Sequence, residues 1–181
     1  KDVASGTSVT IDGQEYTLSG DFSDSMIPAG FTAGELTYND STYKGAVQEK
    51  TGLQMAYLVD GDGKGDFWMY DSSDSSFSPA EQVVISDTYS IVIFDAGSKV
   101  SMPSKYSKGN LEINGKTFEI WDEPDRDGFY VLYAVNNDGE ESLYLYDSVE
   151  HTYQRMETPK SATTPDKKSA SKFDAILEKI S

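Results

Sequence analysis

The sequence predicts a mainly β protein: antiparallel sheets built from two related hairpin-rich repeats, sandwich- or barrel-like, followed by a short C-terminal amphipathic helix. Three observations carry that expectation. The chain repeats itself, it places tight-turn dipeptides at matching points of the repeat, and its apolar residues alternate instead of recurring at helical spacing.

Displacing the chain by 76 residues lays positions 52–79 on 128–155 without a gap, and eight of 28 positions are then identical. They are Gly52/Gly128, Tyr57/Tyr133, Val59/Val135, Asp62/Asp138, Gly63/Gly139, Tyr70/Tyr146, Asp71/Asp147 and Ser72/Ser148, while Phe77 falls on Tyr153. A shorter echo lies upstream of each copy, at 9–18 and 111–120. Copy one has 33 residues between Leu18 and Gly52 where copy two has seven between Ile120 and Gly128, so an insert separates the first echo from its repeat.

Each echo reads as a hairpin closed by two residues. Asp12-Gly13 and Asn114-Gly115 suit a type I′ turn, whose central residues both need positive φ. The flanks alternate accordingly: Val9 and Ile11 with Tyr16 and Leu18, then Leu111 and Ile113 with Phe118 and Ile120. The 76-residue repeat reads as a longer hairpin. Leu53, Met55, Tyr57 and Val59 share one strand face, matched by Phe129, Val131, Tyr133 and Val135. The turns fall at 60–65 and 136–141, and Phe67 and Met69 return opposite Leu143 and Leu145. Trp68, Tyr70, Tyr144 and Tyr146 fall on the other face, so both faces are expected to be partly covered.

The remaining segments complete the organisation. Residues 1–97 form a first β unit, with an insert at 19–51 and an extra hairpin at 82–94. A connector at 98–110 leads to a second, shorter unit at 111–157, then a linker at 158–171 and a helix at 172–181. Residues 19–45 read as an ordered loop or short irregular insert, rich in Gly, Ser, Thr and Asp. Its apolar anchor is the run Met26-Ile27-Pro28-Ala29-Gly30-Phe31, where a Pro-x-Gly-Phe turn drops a phenyl ring against the core. Phe173, Ile176, Leu177 and Ile180 make the helical stripe, which is too short to be stable unless docked.

Composition narrows the function classes. Net charge is -16; the first 157 residues hold 28 acidic and 10 basic side chains, and the last 24 hold five lysines and three acids. An acidic surface repels phosphate backbones, so no nucleic-acid partner is expected. There is no cysteine, which excludes disulfides, thiol catalysis and thiolate metal sites. No apolar run is long enough to span a bilayer, so no membrane insertion is expected in this chain. The chain starts at Lys1 without methionine, as a mature or trimmed form would. The Ser/Thr/Asp/Gly-rich acidic surface and scarce lysine favour a secreted or cell-surface location over the cytosol.

The runs Ile27-Pro-Ala-Gly-Phe31 and Tyr57-Leu-Val-Asp-Gly-Asp-Gly-Lys-Gly-Asp-Phe-Trp-Met-Tyr-Asp71, with copy two at 131–153, carry a resemblance. They resemble segments of secreted or surface-attached proteins of gut-type Gram-positive bacteria that repeat an apolar strand, an Asp-Gly turn, an aromatic-Tyr-Asp step and a further Phe or Tyr. The likeness covers about half the chain. It implies an extracellular, cell-envelope setting and supplies no active site.

Three features invite a functional assignment. In Asp60-Gly-Asp-Gly-Lys-Gly-Asp66, alternate carboxylates in a glycine-rich loop suit a hard cation, which makes Asp60, Asp62, Asp66 and Asp71 candidate calcium ligands. Lys64 at the fifth position and the two-strand setting argue for a plain surface turn instead, and copy two offers a different set in Asn136, Asp138, Glu140 and Ser142. Trp68, Tyr70, Tyr130, Tyr144 and Tyr146 are placed on the less buried strand face, where flat rings stack on sugars or grip an extended peptide; the plain alternative is that tyrosine fills half-buried sheet positions. His151 is the only histidine and reads as an exposed turn residue opposite Ser75 of copy one.

No nucleophile elbow, P-loop, dinucleotide fingerprint or Cys–His pairing is present. The expected function is therefore a non-catalytic extracellular β protein with a structural or protein-interaction role, needing no cofactor, and with a monomer favoured over an oligomer. The runner-up is a carbohydrate-binding module, and the third reading a calcium-stabilised adhesion domain.

Overall fold

The computed structural model describes residues 6–156, so the expected linker and C-terminal helix lie outside the described residues. Thirteen strands fill the described chain, and the pairings between them given below are antiparallel. They fall into two compact units. The first combines Lys1–Val92 with Val135–Glu140; the second combines Ile93–Ala134 with the chain from Glu141 onward. Strand β8 (Ser90–Phe94), buried along its whole length, is divided between them. The units are thus drawn differently from the sequence repeat, which places a boundary after residue 97 and assigns 135–140 to the second copy.

In the first unit, β1 (Gly6–Ile11), β2 (Gln14–Ser19), β5 (Leu53–Val59), β6 (Gly65–Asp71) and β7 (Ser76–Val84) lie side by side in that order. The β1–β2 turn is the expected one, with φ of 52° at Asp12 and 82° at Gly13. The insert is not a loop. It contains a hairpin of β3 (Thr32–Tyr38) and β4 (Ser41–Gln48), turned by Asn39 and Asp40 at φ 50° and 66°. β4 and β2 share one edge of β5: β4 pairs with its first half through Met55, and β2 with its second half through Leu58.

One face of this sheet carries Val9, Leu18, Leu36, Tyr43, Ala56, Leu58 and Tyr70 in a single buried cluster. Each large side chain removed from water there contributes about 1.5–3 kcal/mol. Gly45 lets the β3–β4 hairpin pack closely, since a Cβ there would fall 2.5 Å from Leu36 Cδ2 and 2.8 Å from Met55 O. The other face carries Met55, Tyr57, Phe67 and Met69, all buried. Phe22 seals it, its ring 5.1 Å from Tyr57 and 4.9 Å from Phe67. Lys44 holds Phe22 in place, with Nζ 4.4 Å over the ring, donating to Phe22 O at 2.8 Å and paired with Asp24 at 3.0 Å.

The second unit orders β9 (Ser107–Ile113), β10 (Lys116–Asp122), β11 (Phe129–Asn136), β12 (Glu141–Asp147) and β13 (Thr152–Met156) side by side. β9 takes in the end of the expected connector, and the extra hairpin strand of the first unit is longer than expected, with β7 starting at Ser76. Asn114 and Gly115 repeat the first turn at φ 53° and 83°. Phe118, Ile120, Trp121, Val131, Leu132, Tyr133 and Ala134 are buried, consecutive residues of β11 included, which confirms that both strand faces are covered. Among the described residues no helix is long and apolar enough to cross a membrane.

Candidate functional site

The five aromatic residues expected on the less buried strand face differ in their burial. Tyr70, Tyr144 and Tyr146 are buried, Tyr144 completely, and only Trp68 and Tyr130 are half-buried. The correction has a structural cause. Tyr70 and Tyr146 each pair across the sheet with the aromatic that opens the next strand, Phe77 at 5.0 Å between centroids and Tyr153 at 4.7 Å. The repeated Tyr-Asp-Ser exit is thus an aromatic cross-strand clamp. The Tyr70 hydroxyl donates to Thr37 O at 2.7 Å, so that ring also holds β3.

What the first unit leaves half-buried is a strip along the cluster face: Ile11, Tyr16, Trp68, Phe77 and Tyr38, packed against the buried Leu18, Leu58 and Tyr70. Tyr16 meets Trp68 edge-on at 5.2 Å and 65°, and Tyr38 lies 5.4 Å from Phe77. The strip follows from register: Tyr16 sits on β2, Trp68 and Tyr70 are i, i+2 on β6, and Phe77 is opposite Tyr70 on β7. Sequence reading found Trp68 and missed Tyr16, Tyr38 and Phe77, two of which lie in or beside the supposed loop and echo.

The carboxylate loop is a turn whose first aspartate caps its own backbone. Asp60 Oδ1 accepts from the N–H groups of Asp62 and Lys64, both at 2.9 Å, while Asp60 N–H donates to Lys64 O at 2.8 Å. Copy two repeats this with Asn136 Oδ1, which accepts from Asp138 and Glu140 at 3.0 and 2.9 Å. An amide performs the same work as the carboxylate, so the geometry requires no charge. Asp66 Oδ1 accepts from the Phe67 N–H, and Asp71 Oδ1 from the Ser73 N–H and hydroxyl. Among the described residues, no three acids or histidines are grouped to hold a metal ion.

His151 and Ser75 occupy equivalent positions with φ of 59° each, the left-handed residue that lets the β12–β13 and β6–β7 turns close. The His151 Nδ1 lies 3.3 Å from the Tyr146 hydroxyl.

The elements that differ between the copies meet inside the first unit. Pro28 to Phe31 form a turn with Gly30 at φ 90° and Phe31 N–H donating to Pro28 O at 3.1 Å, and Phe31 is buried as expected. A Cβ on Gly30 would lie 2.7 Å from Asn137 Cα, so this corner rests directly on the 136–140 turn. Gln48, a buried amide, donates to Gly30 O and Asn136 O at 3.3 and 3.4 Å, and Thr51 donates to its Oε1 at 2.6 Å. Asn137, which replaces Gly61 of copy one, brackets the loop before β8: its Oδ1 accepts from Ser90 N–H at 2.9 Å and its amide donates to Thr88 O at 3.2 Å. A cleft of ≈ 250 Å³ remains between Thr32, Val47, Lys50 and Asp138.

Three groups of the second unit, Asp95, Tyr106 and Tyr133, have raised pKa values, and burial is the largest cause for each. Burial pushes the Asp95 carboxyl above its ordinary value; the Glu119 N–H, donating to its Oδ1 at 2.9 Å, opposes the shift and the Glu119 charge adds to it. Glu119 Oε1 in turn lies 3.5 Å from Lys108 Nζ. Burial raises Tyr133 as well, reinforced by its hydroxyl donating to Glu141 Oε1 at 2.6 Å, an oxygen also bound by Lys99 at 2.7 Å. Both arrangements tie strands together.

Comparison with protein-family models, with curated proteins and with solved structures finds no match to this chain.

Proposed function

We propose that this chain is a non-catalytic extracellular or cell-envelope β protein that acts by protein interaction. The observation that carries the reading is the half-buried strip Ile11, Tyr16, Trp68, Phe77 and Tyr38 on the first unit. Rigid aromatic side chains set on a sheet supply contact area at little entropic cost, which is what recognition surfaces use. The acidic Ser/Thr/Asp/Gly-rich surface, the scarce lysine and the resemblance of its repeated runs to Gram-positive surface proteins support the location.

The edge-on pair of Tyr16 and Trp68 favours a second reading, stacking on a carbohydrate. One experiment separates the two. A photo-crosslinking residue replacing Trp68, used on the cells that secrete the protein, is expected to capture a protein adduct that is lost in the Tyr16→Ala background. A glycan-array signal removed by Trp68→Ala assigns the carbohydrate instead, and the absence of both overturns a recognition role for the strip.

A further inference from the structure

We propose that Asn114 is a site of spontaneous deamidation, in which the backbone nitrogen of Gly115 attacks the Asn114 side-chain amide. The attack forms a five-membered succinimide and expels ammonia. Water then opens the ring at either carbonyl, leaving aspartate or isoaspartate.

The chain has five asparagines, and the structure separates this one from the rest. For each, the nucleophile is the backbone nitrogen of the following residue. After Asn136 that nitrogen is Asn137 N, whose N–H is bound to Ser90 O at 3.0 Å. After Asn137 it is Asp138 N, whose N–H is bound to Asn136 Oδ1 at 3.0 Å. The Asn137 side chain is itself held at both ends, by Ser90 and Thr88. Asn110 lies within β9 and is followed by the bulky Leu111. Asn39 is followed by Asp40, whose carboxylate crowds and repels the developing anion. Gly115 differs as the nucleophile. It has no side chain, a Cβ built on it would meet nothing within 4 Å, and its N–H has no hydrogen bond among the described residues. The turn is exposed to the water that the second step consumes.

Copy one shows what the aspartate product does to the fold. Asp12-Gly13 holds the same turn at φ 52° and 82°, against 53° and 83° for Asn114-Gly115. Conversion to aspartate therefore leaves the hairpin intact and adds one negative charge. Isoaspartate inserts a carbon into the main chain and disturbs the Ile113–Lys116 pair that closes the turn.

The test incubates the intact folded protein in mildly alkaline buffer and sequences its tryptic peptides by mass spectrometry. The peptide spanning 109–116 holds Asn110 and Asn114, which its fragment ions distinguish. Loss of the amide is expected at Asn114 while the other four are retained, and the Asn114→Asp variant supplies the reference peptide and a folded control. Loss appearing first at any other asparagine overturns the proposal. So does an Asn114 amide that survives in the folded protein for as long as a denatured sample takes to lose it, because the folded turn would then be protective.

Discussion

Asp60 and Asn136 lie 76 residues apart and hold the same turn, each with one side-chain oxygen accepting from the N–H groups two and four residues on, at 2.9 to 3.0 Å. Replacing Asp60 by asparagine is accordingly expected to leave stability within about 0.5 kcal/mol, whereas Asp60→Ala costs about 1 kcal/mol through two unpaired N–H groups. Melting temperatures should be equal in Ca²⁺ and in EGTA for both wild type and Asp60→Asn. A calcium-dependent rise abolished by that substitution would establish the loop as a cation site.

Gly30 and Gly52 both have positive φ, 90° and 79°, but only Gly30 faces backbone at 2.7 Å. Gly52→Ala is expected to cost about 1–2 kcal/mol, the left-handed penalty alone. Gly30→Ala should cost about 1–3 kcal/mol more, because the Asn137 backbone must also give way. Urea denaturation of the two variants measures the difference.

Tyr144 has no exposed surface, and Tyr144→Ala is expected to cost about 3–5 kcal/mol, in the range of large-to-small core changes. Trp68→Ala, at a half-buried position, should cost clearly less. Any ligand lost by Tyr144→Ala would therefore report lost stability, and a binding assay is informative at half-buried positions such as Trp68 and Tyr16.

Asp95 gives stability a dependence on acid. Its folded pKa lies above the ordinary 3.8, so the folded state favours the protonated form. The associated stability is full below the unfolded value and is lost as pH rises through the folded value. Asp95→Asn keeps an oxygen for the Glu119 N–H and removes the buried charge. It is expected to melt higher than wild type at pH 7, with the difference closing near pH 3. Equal melting at both values would show that the carboxyl is not destabilised.

Tyr133 acts at the other end of the scale. Its raised pKa keeps the phenol protonated in the folded state beyond the ordinary value of 10.0, so stability is full below that value and declines above it as the unfolded chain ionises. Tyr133→Phe should flatten the alkaline limb of a melting-temperature profile while lowering the plateau at neutral pH through the lost bond to Glu141.

Much of the frame was legible because it rests on local chemistry. Asp12-Gly13 and Asn114-Gly115 announced their turns by dipeptide, and the 76-residue displacement matched strand to strand. The β3–β4 hairpin was hidden because its turn is Asn39-Asp40, without glycine, and because Gly34 and Gly45 dilute the strand pattern for the sake of close packing that only the fold reveals. The burial of Tyr144 and Tyr146 was hidden for a related reason: a strand covered on both faces has no alternation to show which aromatic is inside. The role of Asn137 has no local signal, because its partners Thr88 and Ser90 are nearly 50 residues away in sequence.

That asparagine has a consequence for how the chain can be cut. Residues 135–140 match 59–64 in sequence and belong to the first unit by contact. A truncation placed at the repeat boundary would leave Ser90 and the Gln48 amide facing solvent that the native fold excludes. A gene shortened to one copy is expected to yield insoluble product where the uncut gene yields a folded one.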